Sequence, residues 1–96
     1  LLWDQALYTE KLVSKKTMEE AFTPYTLNSN TLSYYGFGWR LSKNPKNKIV
    51  SHSGSNPGYK TRIIRFLDKK KTIIILSNND FLLDKLEDKL SSQLSI

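Results

Sequence analysis

The sequence predicts an α+β chain: an antiparallel β-sheet of about four strands, two short N-terminal helices, and a C-terminal helix packed on one face. Three observations carry this expectation. Apolar residues recur at helical spacing near both ends of the chain. Between them lie β-branched and aromatic runs of strand length. The connections between those runs are too short for a crossover, so neighbouring strands must run antiparallel.

The elements follow in order. Leu2, Trp3, Ala6 and Leu7 form one apolar helical stripe. Leu12-Val13 leads into a second short helix over 14–22, started by Ser14 as N-cap or by Thr17 and Glu20 as a capping box. Thr23-Pro24 ends it, because the residue before a proline is pushed out of the helical region. Residues 25–32 are polar and read as loop. From Ser33 to Leu41 the chain carries Tyr34, Tyr35, Phe37 and Trp39, broken by Gly36 and Gly38. This is the pattern of a strand with a bulge or a close backbone approach, its aromatic rings in the sheet core. Asn44-Pro45-Lys46-Asn47 signals a turn, Lys48 to Ser53 a short strand, and Gly54 to Gly58 a loop. Tyr59 to Leu67 and Thr72 to Ser77 form a hairpin about Asp68-Lys69-Lys70-Lys71. Asn78-Asn79-Asp80 is expected to cap a last helix, with Leu82, Leu83, Leu86, Leu90 and Leu94 as its apolar stripe.

Composition narrows the function classes. At 96 residues the chain is one domain or part of one, and its start at Leu1, with no Met and no signal segment, reads as a cut. With 39% apolar residues and only 3 Pro and 4 Gly, a folded core is expected rather than a disordered tail. Cysteine is absent, which removes disulfides, thiolate nucleophiles, iron–sulfur clusters and Cys-bearing zinc sites. A single His leaves no His-rich metal site, so neither a metal ion nor a cofactor is expected. The longest apolar run, Ile73 to Leu76, falls far short of the ~20 residues that span a bilayer. The net charge of +6 is concentrated in residues 33–80, which hold 10 basic and 2 acidic side chains. It is spread along that segment, and the triple Lys falls at a turn. Binding to nucleic acid therefore rests on charge alone and is not expected. Asp84, Glu87 and Asp88 alternate with Lys along the last helix and do not suggest a metal site.

One segment gathers an imidazole, hydroxyls and glycines at a strand end: His52-Ser53-Gly54-Ser55-Asn56-Pro57-Gly58-Tyr59. A glycine there lets a ligand lie against the strand edge, and exposed backbone N–H groups beyond it can face a developing oxyanion. Taken alone, the same residues also describe an ordinary loop. Their neighbourhood is more specific. Tyr35-Gly36-Phe37-Gly38-Trp39, then His52 to Tyr59, then Ile73-Ile74-Ile75-Leu76-Ser77-Asn78 follow Trp3-Asp4-Gln5-Ala6-Leu7 and Thr23-Pro24. Together they resemble the C-terminal part of the serine β-lactamase family in its broad, class C-like sense. That family includes penicillin-binding proteins, D-aminopeptidases and esterases. The pairing of Tyr-Gly-x-Gly-Trp with His-x-Gly-x-x-x-Gly is its most specific element.

The resemblance implies three catalytic motifs: a Ser-x-x-Lys bearing the nucleophile, a Tyr-x-Asn or Ser-x-Asn, and a Lys-Thr-Gly or His-x-Gly strand. The third is present as His52-Ser53-Gly54, while no Lys has a Ser three residues before it and no Tyr has an Asn two residues after it. Ser77-Asn78-Asn79 fits Ser-x-Asn on paper but follows the His-x-Gly strand, so it reads as a strand end. The resemblance therefore implies that residues 1–96 are a C-terminal piece of a larger bacterial serine hydrolase, inactive alone. Its partner would be the missing N-terminal part of the same polypeptide, its substrate a small molecule or peptide, and its location extracytoplasmic. By the same resemblance His52 lines the cleft and Ser53 offers its hydroxyl to a substrate carboxylate or carbonyl. Gly54 lets substrate lie alongside, and the Ser55 backbone N–H is the second oxyanion donor. Gly58 and Tyr59 shape the loop. His in place of Lys leaves a weaker, pH-dependent charge. The alternatives are a non-catalytic binding or structural module of the same fold and, further off, a basic nucleic-acid-binding domain.

Overall fold

Two small helices open the chain in the computed structural model, which describes residues 1–44, 46–80 and 83–94. The elements run α1 (Leu2–Ala6), α2 (Lys15–Ala21), β1 (Tyr25–Thr26), β2 (Leu32–Ser33), β3 (Arg40–Leu41), β4 (Ile49–Asn56), β5 (Tyr59–Phe66), β6 (Lys71–Ser77) and α3 (Asp84–Leu94). The strands form a two-stranded sheet, β1-β2, and a four-stranded sheet in the order β3-β4-β5-β6, antiparallel throughout. The α+β class, the four-strand sheet and the flanking helices are as the sequence predicts.

Register places the core. Ser51, Ile64 and Ile73 sit in one row across the sheet, and Ser53, Arg62 and Ile75 in the next row on the same face. Against this face Leu83 is buried with Ile64, Ile73 and Ile75, while Ile49, Phe66, Leu90 and Leu94 pack around them. Arg62 bonds Asp84 at 3.1 Å and also pairs with Glu87, tying the start of α3 to β5. At the other end the Lys71 ammonium donates to the Leu94 carbonyl at 3.1 Å, a cation at a helix C-terminus. Leu86 stays 45% exposed, so the apolar stripe contacts the sheet through part of its length. Leu82 and Pro45 lie outside the described residues.

On the opposite face α1 docks through a polar residue, not through its apolar stripe. Leu2 and Trp3 are 90% and 57% exposed, whereas Asp4 is 2% exposed. Its carboxylate accepts from Arg65 Nε at 2.7 Å, from Thr72 Oγ1 at 2.9 Å and from Gln5 Nε2 at 3.0 Å. Arg65 Nη2 also donates to the Asp4 carbonyl at 3.0 Å, and the guanidinium lies 4.7 Å over the Tyr8 ring. Burial pushes the Asp4 carboxyl up. The Arg65 and Thr72 hydrogen bonds, the Arg65 charge and the Gln5 amide outweigh it and leave the group below its usual value. A five-residue helix has too little apolar area to hold itself on a sheet, and this network supplies the anchor.

Three further features have local causes, the first deciding between two expected helix starts and the others departing from expectation. Ser14 is the N-cap of α2, its hydroxyl accepting from the Thr17 N–H at 3.2 Å, so no Thr17–Glu20 capping box starts the helix. Residues 25–33 make the small β1-β2 hairpin instead of a loop, turning at Asn30 with φ 63°. Most of 34–39 is a turn and not a strand, because Gly36 N–H closes back on the Trp39 carbonyl at 2.8 Å. Trp39 meets Phe22 edge-on with ring centroids 6.0 Å apart, but Phe37 is 66% exposed and Tyr34 lies outside the buried core with Lys43 Nζ 5.4 Å from its ring centroid. Among the described residues no helix is long and apolar enough to cross a membrane.

Candidate functional site

The His52–Tyr59 segment is strand and tight turn, not loop. β4 continues through Gly54, Ser55 and Asn56, and only Pro57-Gly58 turns the chain into β5. Gly58 takes φ +82°, a conformation that glycine adopts without strain, and its N–H donates to Asp80 Oδ1 at 2.9 Å. Asp80 therefore stitches the hairpin tip to the end of β6 and does not cap the last helix, which begins at Asp84.

Alternation along β4 sorts the candidate residues. His52 and Gly54 share the face that carries Arg65 and Thr72, and Ser53 and Ser55 share the face covered by α3. Ser53 is half-buried there beside Arg62, while the Ser55 hydroxyl accepts from Lys60 Nζ at 2.5 Å. The place a Cβ on Gly54 would take lies 2.4 Å from Thr61 Oγ1, so within the chain Thr61 already fills the space next to that glycine. Tyr59 is 60% exposed at the hairpin tip.

The backbone of β4 is more informative than its side chains. The Lys48 carbonyl accepts from Leu67 N–H at 2.9 Å, on the β5 side, and the Ile49 carbonyl accepts from Ser42 N–H at 3.1 Å, on the β3 side. Strand alternation then directs the peptide groups of Ser51, Ser53 and Ser55 toward the β3 side as well. β3 pairs with Val50 and Ser51, and among the described residues no strand pairs with this edge beyond Ser51. The Ser53 and Ser55 N–H groups lie along it.

His52 has one neighbour that the sequence did not announce. Tyr35 Oη lies 3.0 Å from His52 Nε2, with the two rings edge-on and their centroids 6.2 Å apart. The signal was the Tyr-Gly-x-Gly-Trp segment, whose aromatic rings suggest core by composition. A cleft of ≈ 1020 Å³ lies elsewhere, between α2, the segment that follows α1 and the start of β4; it is lined by residues such as Met18, Phe22 and Val50 and includes none of His52 to Ser55.

Similarity to known proteins extends over most of the chain. A β-lactamase family model matches residues 1–94. Penicillin-binding protein 4* of Bacillus subtilis (strain 168) is 51% identical over 79 residues, covering 81% of this chain and 18% of that protein. The chain thus spans less than a fifth of that relative's length. With one match running nearly end to end and half the aligned residues shared with a penicillin-binding protein, the chain belongs to the serine β-lactamase family.

Proposed function

We propose that this chain forms one wall of the active-site cleft of a penicillin-binding-protein-like serine hydrolase and that the nucleophile comes from polypeptide outside residues 1–96. The observation that carries the proposal is the open edge of β4. Among the described residues the Ser55 N–H has no partner along this edge, and it lies beside His52 and Gly54, where it can serve as one donor of an oxyanion hole. In this reading a serine nucleophile attacks a substrate carbonyl lying along the edge. The Ser55 N–H stabilises the oxyanion that develops, and His52 and Ser53 contact the substrate from the strand. The absence of any Ser-x-x-Lys in the sequence supports a nucleophile supplied from elsewhere, as does the share of the Bacillus relative that this chain spans. Ile74 and Leu76, 49% and 79% exposed on the face opposite α3, support the packing of further polypeptide of the same protein there. An extracytoplasmic location belongs to the same reading.

The decisive variant is Ser55→Pro in the intact protein. Proline is tolerated where a strand's N–H faces an open edge, so the substitution removes one donor without breaking a ladder bond. Loss of an oxyanion donor lowers acylation by about 10²–10³-fold. With fluorescent penicillin or p-nitrophenyl acetate as acyl donor, Ser55→Pro should fall by that order and Ser55→Ala, which keeps the N–H, should stay near wild type. Equal rates in both variants would refute the oxyanion role. An intact wild-type protein that neither reagent acylates would instead favour a binding module of the same fold.

A further inference from the structure

We infer that Tyr35 is a positioning residue for His52: its hydroxyl donates to Nε2 and so fixes the imidazole proton on Nδ1. The inference rests on the reading that His52 lines the cleft, and it adds which protonated form His52 presents there. Two sets of observations support it.

The first is the contact, 3.0 Å from Tyr35 Oη to His52 Nε2. A phenol is a stronger acid than a neutral imidazole N–H, and an imidazole nitrogen is a better acceptor than a phenol oxygen. While the imidazole is neutral the hydroxyl therefore donates, and the proton of the ring must sit on the other nitrogen. When the ring is protonated both nitrogens donate and the hydroxyl turns to accept.

The second is how firmly the turn before Tyr35's partner strand is held. Phe37 N–H donates to the Ala21 carbonyl at 3.0 Å and Gly36 N–H to the Trp39 carbonyl at 2.8 Å. A Cβ on Gly36 would fall 1.8 Å from the Ala21 carbonyl oxygen, so no larger residue lets the turn press this closely on the end of α2. Tyr35 then bridges to Arg40, which pairs with Ser51, one residue from His52. The two halves of the sequence signature, Tyr-Gly-x-Gly-Trp and His-x-Gly, thus meet in one hydrogen bond.

The chemical consequence concerns substrate class. While Tyr35 donates to Nε2, His52 is uncharged and offers a neutral N–H donor at Nδ1. That suits a carbonyl, ester or amide oxygen and gives a substrate carboxylate no ion pair.

Long-range ¹H–¹⁵N correlation spectra of the protein labelled with [¹⁵N]histidine test this, with His52 assigned by its loss in His52→Gln. A typical hydrogen bond biases the two tautomers by a factor of about 2–10. The Nδ1–H fraction of neutral His52 should be greater by that factor in wild type than in Tyr35→Phe, which keeps the ring and removes the hydroxyl. The wild-type protein unfolded in urea supplies a second reference that depends on no variant. A ratio equal to, or less rich in Nδ1–H than, either reference overturns the inference. The spectra require no turnover, so an inactive protein would count against the proposed hydrolase and leave this result standing.

Discussion

Replacing Asp4 by Ala should remove a large part of the fold's stability, although Asp4 sits in the first turn of a five-residue helix. The substitution strands the Arg65 guanidinium, 1% exposed, without its counter-charge, and deprives Thr72 and Gln5 of their acceptor. Removing one partner of a buried ion pair costs about 3–5 kcal/mol, against a total of about 5–15 kcal/mol for a typical domain. Urea unfolding followed by tryptophan fluorescence reads the loss directly. With an m-value of about 1–3 kcal/mol per molar, the midpoint should fall by roughly 2 M. Asp4→Leu combined with Arg65→Met removes both charges and should recover most of the loss. The pH dependence has a defined sign. The folded carboxyl lies below its ordinary value of 3.8, so its contribution is complete above that pH and is lost as pH falls through the folded value. The Asp4→Ala protein should lack this part of the acid transition. An unfolding free energy within about 0.5 kcal/mol of wild type would show that the network does not hold α1 to the sheet.

Other expectations follow from the same contacts. Gly36→Ala drives a Cβ into the backbone oxygen of Ala21, which cannot rotate away, so a loss of about 1–3 kcal/mol is expected from thermal unfolding, along with loss of the Tyr35-dependent His52 tautomer bias. Gly58→Ala places a side chain at φ +82° and should cost about 1–2 kcal/mol, again read by urea titration. Arg62→Met removes the contacts to Asp84 and Glu87. Hydrogen exchange in α3 should accelerate while β5 stays protected, because the helix would loosen locally before the sheet opens. Ser14→Ala should cost about 1 kcal/mol through the lost N-cap.

The legible parts of the fold were those fixed by local chemistry. The β5-β6 hairpin was readable from its β-branched runs and lysine turn, and the apolar stripe of α3 marked the face it buries. The start of α2 carried its own cap in Ser14. What sequence periodicity missed was decided at a distance. Asp4 is separated from Arg65 and Thr72 by more than 60 positions, and nothing around an aspartate in a short amphipathic helix says that it will be buried. Asp80 looked like a helix cap, yet its carboxylate is taken by the Gly58 N–H across the hairpin. The aromatic run from Tyr34 to Trp39 favours strand by propensity, but Gly36 fits against Ala21 only in a turn, and the turn wins. The site shows the same division. His52, Ser53, Gly54 and Ser55 were visible as a motif. Their sorting onto two faces, the open edge at Ser55 and the hydroxyl of Tyr35 depend on pairing register, which composition does not encode.

The proposed cleft-wall role of residues 1–96 places the nucleophile outside them. Its most direct test is peptide mapping by mass spectrometry after the intact protein reacts with a fluorophosphonate or a labelled penicillin. One modified serine is expected outside residues 1–96, on a Ser-x-x-Lys segment, and no adduct on any serine within them. A covalent adduct on a serine of this chain would contradict it.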